Sequence, residues 1–343
     1  MDARAAPPAD RQAFYRRIDP LHMTPLWEAF SGLITREPET PCVPHVWRYD
    51  SVRPFLMESG SLISAQEAER RVLILENPGL RGHSSITHSL YAGLQLVMPG
   101  EVAPCHRHSQ SALRLVLEGH HAYTGVNGER IPMERGDFII TPPWAWHDHG
   151  NDSAVPVVWL DGLDIPLVKF FDASFIERPE HEQQPVTRPS GDGIARHGNN
   201  LLPLGTARGA AVLNHYPYPR TREALARMSR ARDWDACHGL KLEFVNPADG
   251  GPAMPTISSF IQLLPKGFRS HPYRSTDGTV FTALEGRGAA RVNGQRLEFG
   301  PNDTFVVPSW TACEFEADEE SVLFSFSDRG VQQKLGLWRE RRG

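Results

Sequence analysis

Two regimes of hydrophobic patterning divide the chain. In its first 80 or so residues, apolar positions recur at helical spacing in Ala9–Ile18 and Ser64–Ile74, the second opening with Ser64 as an N-cap and Glu67 three residues on. Pro38, Pro41 and Pro44 mark an irregular connection between them. From about Ser89 the pattern changes to short β-rich runs, Gly93–Met98, Ala112–Leu117, His121–Val126 and Asp137–Thr141. Turn signals at Pro99-Gly100, Glu118-Gly119, Asn127-Gly128 and Arg135-Gly136 separate them, and Asn-Gly between two such runs predicts a hairpin.

The β regime is written twice. Leu117-Glu118-Gly119 returns as Leu284-Glu285-Gly286 at an offset of 167, while Asn127-Gly128 and Pro142-Pro143-Trp144 return as Asn293-Gly294 and Pro308-Ser309-Trp310 at an offset of 166. Three matched turns in one order predict duplication of a whole domain. Between the copies composition shifts toward Pro, Arg and His, with one short helix expected over Arg222–Ala231. The tail, Val331–Arg341, is expected to be helical too.

At 343 residues the chain can bury two cores or one large one. Gly and Pro, 29 each, suit many short strands joined by tight turns. A net charge of −5 offers no basic footprint, which argues against a nucleic-acid partner. The four cysteines, Cys42, Cys105, Cys237 and Cys313, are scattered without a C-x-x-C pair, so reduced thiols are expected. Neither a secretory leader nor a run of about 18 apolar residues is visible, and the expectation is a cytoplasmic protein with no membrane partner.

The chemistry sits between Gly100 and Asn151. His106 and His108 alternate on a strand and share a face, and His147 follows 39 residues after His108, at the end of a second apolar strand. Three imidazoles without a thiolate suit iron, zinc, copper or nickel, and three ligands leave positions open for a substrate.

These clusters resemble the two cupin motifs. Gly100, His106, His108 and Gly119 fit the first, with Ala112 where a glutamate is common; Gly136, Pro142, His147 and Asn151 fit the second, with Trp144 in a glycine place. The missing carboxylate, together with Tyr91–Gln95, Pro99–Pro104, Gln110–Arg114, Gly136–Pro143, Trp146–His149, Trp159–Gly162 and Pro247–Thr256, resembles the bicupin ring-cleaving dioxygenases of gentisate, salicylate and 1-hydroxy-2-naphthoate. The resemblance implies an all-β fold with a helical extension and two cupin (double-stranded β-helix, jelly-roll) barrels. The expected division is a helical extension over 1–82, a metal-bearing cupin over 83–170, a connecting segment over 171–250 and a degenerate cupin with its tail over 251–343. It also implies one Fe(II) per chain on His106, His108 and His147, an aromatic hydroxy acid and O2 as partners, and a homotetramer. The expected reaction opens gentisate between its carboxyl-bearing and hydroxyl-bearing carbons, giving maleylpyruvate.

Other residues take roles around that centre. Arg114, of matching strand parity, is expected to hold the substrate carboxylate bidentately, against the competing reading of an inter-strand ion pair. Arg70, placed on the second helix, is either a second anion contact or a solvated face beside Glu67 and Glu69. His149 is expected as an acid/base or hydrogen-bond donor rather than a fourth ligand. Gln95 and Asp161 are expected to orient the substrate or a ligand histidine. Tyr91 would reach a ring substituent; salicylate-cleaving relatives tend to carry Trp there, so tyrosine favours gentisate. In the second copy, His271-Pro272-Tyr273 and Cys313 read as a lapsed metal site. His83, His88, His120 and His121 are expected at the surface, and Cys105 is expected to point away from the metal. Competing readings are cleavage of salicylate or 1-hydroxy-2-naphthoate, a non-catalytic bicupin for storage or sensing, and a zinc isomerase or hydrolase.

Overall fold

Residues 9–209 and 211–343 are described by a computed structural model. Two compact units are present, one ending at Glu39 and one spanning Thr40–Gly343. In the first, helices Ala9–Ile18 and Leu26–Leu33 are tied by the Tyr15 hydroxyl, which donates to Glu28 and accepts from the Trp27 indole at 2.9 Å.

The second unit corrects the helical reading of its first residues. Ser64 does cap a helix, accepting from the Glu67 amide, but that helix ends at Ala68. Glu69, at φ 55°, turns the chain into the strand Val72–Ile74, whose β-branched ends suit a pleated surface better than a helix. The proline-marked connection hides a strand, His45–Trp47, and a helix, Tyr49–Leu62, anchored by buried Tyr49 and Leu56. The helix expected over Arg222–Ala231 runs Tyr218–Met228 before a short 3-10 turn. In the tail only Arg329–Lys334 is helical; Gly336, at φ 71°, breaks it, and Glu340–Arg342 becomes a strand.

Each sequence copy forms a barrel of two sheets. In the first barrel, one sheet orders His215–Tyr216, Phe138–Thr141, Ala112–Glu118, Val157–Leu163, Tyr91–Val97 and Val72–Ile74. Facing it are Ile176–Glu177, Val102–His108, His147–Asn151, Ala122–Val126 and Glu129–Met133. The second barrel repeats the plan around Ser258–Leu264, Thr279–Glu285, Ser321–Ser327 and Thr304–Val307, with His45–Trp47 added at its sheet edge.

The apolar runs of the six-stranded sheets do not alternate with polar positions because both of their faces are covered. One face of each lines its own barrel, as Val116, Ile139 and Trp159 do in the first and Phe281, Phe305 and Leu323 in the second. The opposite faces meet in one shared core containing Leu94, Leu113 and Leu160 from one barrel and Ile261, Val280 and Phe326 from the other. Gly162 permits this approach: a Cβ there would lie 2.8 Å from the Phe326 ring and 2.9 Å from Leu113. Two buried aspartates latch the barrels together in a pseudo-two-fold manner. Asp164 accepts from the Ser111 amide and from Thr256 of the other copy; Asp328 accepts from the Gly278 amide and from Ser89 of the other copy. Among the described residues, no helix is long and apolar enough to cross a membrane.

Candidate metal centre

The strand Val102–His108 pairs antiparallel with His147–Asn151, and an irregularity between Ala103 and His106 brings His106 into register with His147. His108, two residues on, shares their face. The ring centroids are 4.4 Å apart for His106 and His147, 4.8 Å for His108 and His147, and 5.3 Å for His106 and His108. One nitrogen from each ring lies within 4.8 Å of the others, the single such group of His, Cys, Asp or Glu among the described residues. Burial, reinforced by Arg70 and Arg114, holds all three imidazoles below their usual range, His106 down to about 2 and His108 to about 4. Neutral rings are the ligand form.

Their hydrogen bonds test the fit to a metal. Nδ1 of His108 lies 3.0 Å from the Gln110 carbonyl and Nδ1 of His147 lies 3.0 Å from the Ala145 carbonyl. A carbonyl only accepts, so both Nδ1 atoms carry the proton and both Nε2 lone pairs are free for an ion. His106 differs: its Nδ1 faces Arg70 Nη2 at 3.1 Å, and a guanidinium only donates. A neutral His106 ligating through Nε2 carries its proton on Nδ1, which an arginine donor cannot face. The Arg70–His106 contact and metal on Nε2 of a neutral ring therefore exclude one another. With that one rearrangement, the donor set fits a divalent metal.

Arg70 is not on a helix. It lies in the turn after Ala68, and its side chain leaves the acidic surface to reach His106 and the Pro104 carbonyl at 3.0 Å, so the reading of Arg70 as a solvated helix face is corrected. Arg114 points into the first barrel, 3% exposed, donating to Thr141 Oγ1 at 2.6 Å. Its Nε lies 3.7 Å from Asp161 Oδ1, which also accepts from the Trp159 indole at 2.9 Å. Burial raises the Asp161 carboxyl to about 6, and Arg114, Trp159 and Arg70 restrain the rise. His149 shares the His147 strand face, with Thr124 Oγ1 2.9 Å from its Nδ1. Gln95 sits opposite both Trp159 and Val72 and is 2% exposed, not facing water.

Among the described residues, three buried polar atoms around the triad lack a hydrogen-bond partner: Gln95 Nε2, Arg114 Nε and His149 Nε2. Orphaned buried polar groups are costly, and a ligand seated beside the triad would complete these three. Tyr91 is half-buried at the barrel end, and burial with nearby Asp161 pushes its phenol up. Gly93 makes room for it: a Cβ there would meet Val72 at 2.4 Å and the Tyr91 hydroxyl at 2.9 Å.

Sequence reasoning left Thr141, Thr124 and Trp159 without individual roles, although the Trp159-x-Asp161 parity was a usable signal. It also set His83 and His88 aside as surface residues. They are exposed, but with Tyr91 and Lys169 they line a cavity of about 460 Å³. In the second barrel no comparable group of metal-ligating side chains is present among the described residues, in line with the lapsed-site reading. Tyr273, not His271, sits opposite Cys313 as His106 sits opposite His147, and exposed His271 reaches the Gly343 carbonyl.

Duplicated barrels with one three-histidine centre define a bicupin of the metal-binding kind. A cupin domain model matches residues 93–163. The chain is 56% identical over 335 residues to gentisate 1,2 dioxygenase 1 of Aquipseudomonas alcaligenes, covering 97% of this chain and 96% of the relative. It is 35% identical to 5-aminosalicylate 1,2-dioxygenase of a Comamonas species, over 97% and 90% of the two chains. The structure of salicylate 1,2-dioxygenase from Pseudoaminobacter salicylatoxidans with gentisate superposes with a TM-score of 0.93 at 33% identity, over 99% and 96% of the chains. The chain belongs to the bicupin ring-cleaving dioxygenase family.

Proposed function

We propose that this chain is an Fe(II)-dependent gentisate 1,2-dioxygenase, opening gentisate with O2 between the carboxyl-bearing and the neighbouring hydroxyl-bearing carbon to give maleylpyruvate, with both oxygen atoms retained. The observation that carries the reading is the 56% identity to a gentisate dioxygenase across nearly the whole chain. The triad and the orphaned polar atoms beside it support it. His106, His108 and His147 would hold one iron per chain. Iron, when bound, supplies the redox-active Lewis acid at which an anionic hydroxy acid and dioxygen meet.

The protein's own groups do the rest. Arg114 offers its Nε–H, which makes no hydrogen bond within the protein, to the substrate carboxylate; Thr141 and Asp161 keep its fork in place, and the Trp159 indole steadies Asp161. Arg70 adds a second positive charge. His149, with Thr124 on Nδ1, presents Nε2 to hold or move a phenolic proton. Gln95 orients the ring through its free amide, and Tyr91 reaches the 5-hydroxyl. The buried barrel excludes water around these contacts.

The assay is oxygen uptake by iron-loaded protein with gentisate, salicylate and 1-hydroxy-2-naphthoate in parallel. Gentisate is expected to give the highest kcat/KM, with a product absorbing in the near ultraviolet. No uptake with any of the three sinks the ring-cleavage reading. His106→Ala is expected to lose iron and turnover while keeping its circular dichroism. We further propose a cytoplasmic homotetramer, checked by light scattering, and the four-part division at residues 82, 170 and 250, which limited proteolysis would test.

A further inference from the structure

The second barrel lacks a histidine triad but keeps a hollow. A cavity of about 30 Å³ remains there, lined among others by Lys241, Tyr273, Asp277, Phe281, Cys313 and Arg329. By register it lies where the first barrel holds the triad, because Tyr273 pairs with Cys313 as His106 pairs with His147. The edge strand that places Val72 opposite Gln95 in the first barrel places Lys241 opposite Gln262 in the second. Duplication has exchanged an apolar residue at the barrel wall for a cation.

Charge in this hollow does not balance. The Lys241 ammonium lies 4.5 Å from the Phe260 ring centre and 5.8 Å from that of Phe281, yet among the described residues it forms no ion pair. The Arg329 guanidinium lies over the same Phe260 ring at 5.1 Å. Asp277 is the carboxylate at hand; its Oδ2 is 3.5 Å from Arg329 Nε and its Oδ1 accepts from the Trp338 indole at 2.8 Å. Among the other titratable groups of the lining, burial lowers His238 to about 3 and raises Tyr273 and Cys313 to about 12, leaving them neutral. Arg274 also lines the hollow but has a partner of its own, so Lys241 and Arg329 share one carboxylate, Asp277. Arg329 Nε and His238 Nδ1 are also buried without a hydrogen-bond partner. Burying like charges around one aromatic ring costs free energy that a counter-ion removes.

We propose that the second barrel binds one small monovalent anion, of halide size, between Lys241 and Arg329. The volume sets the class. A water needs roughly 10–15 Å³ of such space, so about 30 Å³ admits one small ion and excludes an aromatic acid. The barrel without the histidine triad would hold an anion where the other would hold a metal, with Lys241 supplying the positive charge.

Sodium bromide is the probe, because its anomalous scattering locates the ion. Crystals of the iron-loaded chain soaked in bromide are expected to show one anomalous peak per chain between Lys241 and Arg329. In solution, replacing gluconate by bromide at constant ionic strength is expected to raise the unfolding midpoint by about 2 °C or more. In Lys241→Met both effects are expected to vanish while iron content is kept. Peaks confined to the surface, a cavity holding only water, or an undiminished peak in Lys241→Met would overturn the proposal. If Lys241→Met fails to fold, the wild-type peak decides alone.

Discussion

At the residue scale, the site is a set of buried polar atoms waiting for partners. Arg114 carries the strongest demand, since Thr141 and the ion pair with Asp161 fix its fork while Nε makes no hydrogen bond. Lysine keeps the charge but not the fork, so Arg114→Lys is expected to lower kcat/KM for gentisate about 100-fold, near 2.7 kcal/mol, with iron content unchanged. Inductively coupled plasma analysis beside steady-state kinetics separates that outcome from simple loss of metal. Asp161 sets a pH limit. Its carboxyl, raised to about 6, must be ionised to restrain Arg114, so kcat/KM is expected to fall as pH drops through 6. Asp161→Asn should flatten that acid limb; a limb left in place assigns it to another group. The triad was legible because a strand alternates with period two and a metal needs convergent nitrogens. Arg70 was named as a candidate anion contact through the resemblance, but its placement was not legible, because nothing in Ala65–Arg71 announces that Glu69 takes a positive φ and swings the next side chain off the surface.

Elements were legible where their pattern matched their surroundings. The hairpins came out as expected because Asn-Gly chemistry is local. The helix ends at residues 68 and 334 were missed because strand pairing overrode helical spacing, with Val72–Ile74 claimed by Tyr91–Val97 and Glu340–Arg342 by Tyr273–Ser275. The aspartate latches belong to this scale as well, since neither has a local sequence signature. Asp328 is raised to about 6, chiefly by burial. A carboxyl raised in the fold contributes stability at acid pH, when it is protonated, and that contribution is lost as pH climbs from about 4 through 6. Asp328→Asn does not titrate. Its melting temperature relative to wild type is therefore expected to rise by a few degrees between pH 4.5 and pH 7. A constant difference across that range would remove Asp328 from the account.

For the whole molecule, the duplication was legible from three turns, but the partnership of the copies was not. The sequence cannot state that the runs around Leu94, Leu113, Val280 and Phe326 are apolar on both faces because the barrels share one core. That arrangement makes the second barrel a condition of the first. A fragment ending at residue 170 would expose the shared face, and is expected to lack native near-ultraviolet circular dichroism and to bind a hydrophobic dye. Phe326→Ala, which opens that core, is expected to cost about 3–5 kcal/mol in chemical denaturation and to shift a single transition rather than split it.

The contact of Phe326 with Gly162 has a bearing on how new substrate preferences arise. Gly162 is the neighbour of Asp161, so a change of bulk in the far barrel presses on the strand that steadies Arg114. Libraries confined to the residues around the histidine triad would never sample that lever. Selection for altered ring substituents should enrich substitutions at Phe326, a residue with no access to the substrate. The second barrel would then act as the tuning screw for the one that holds the triad.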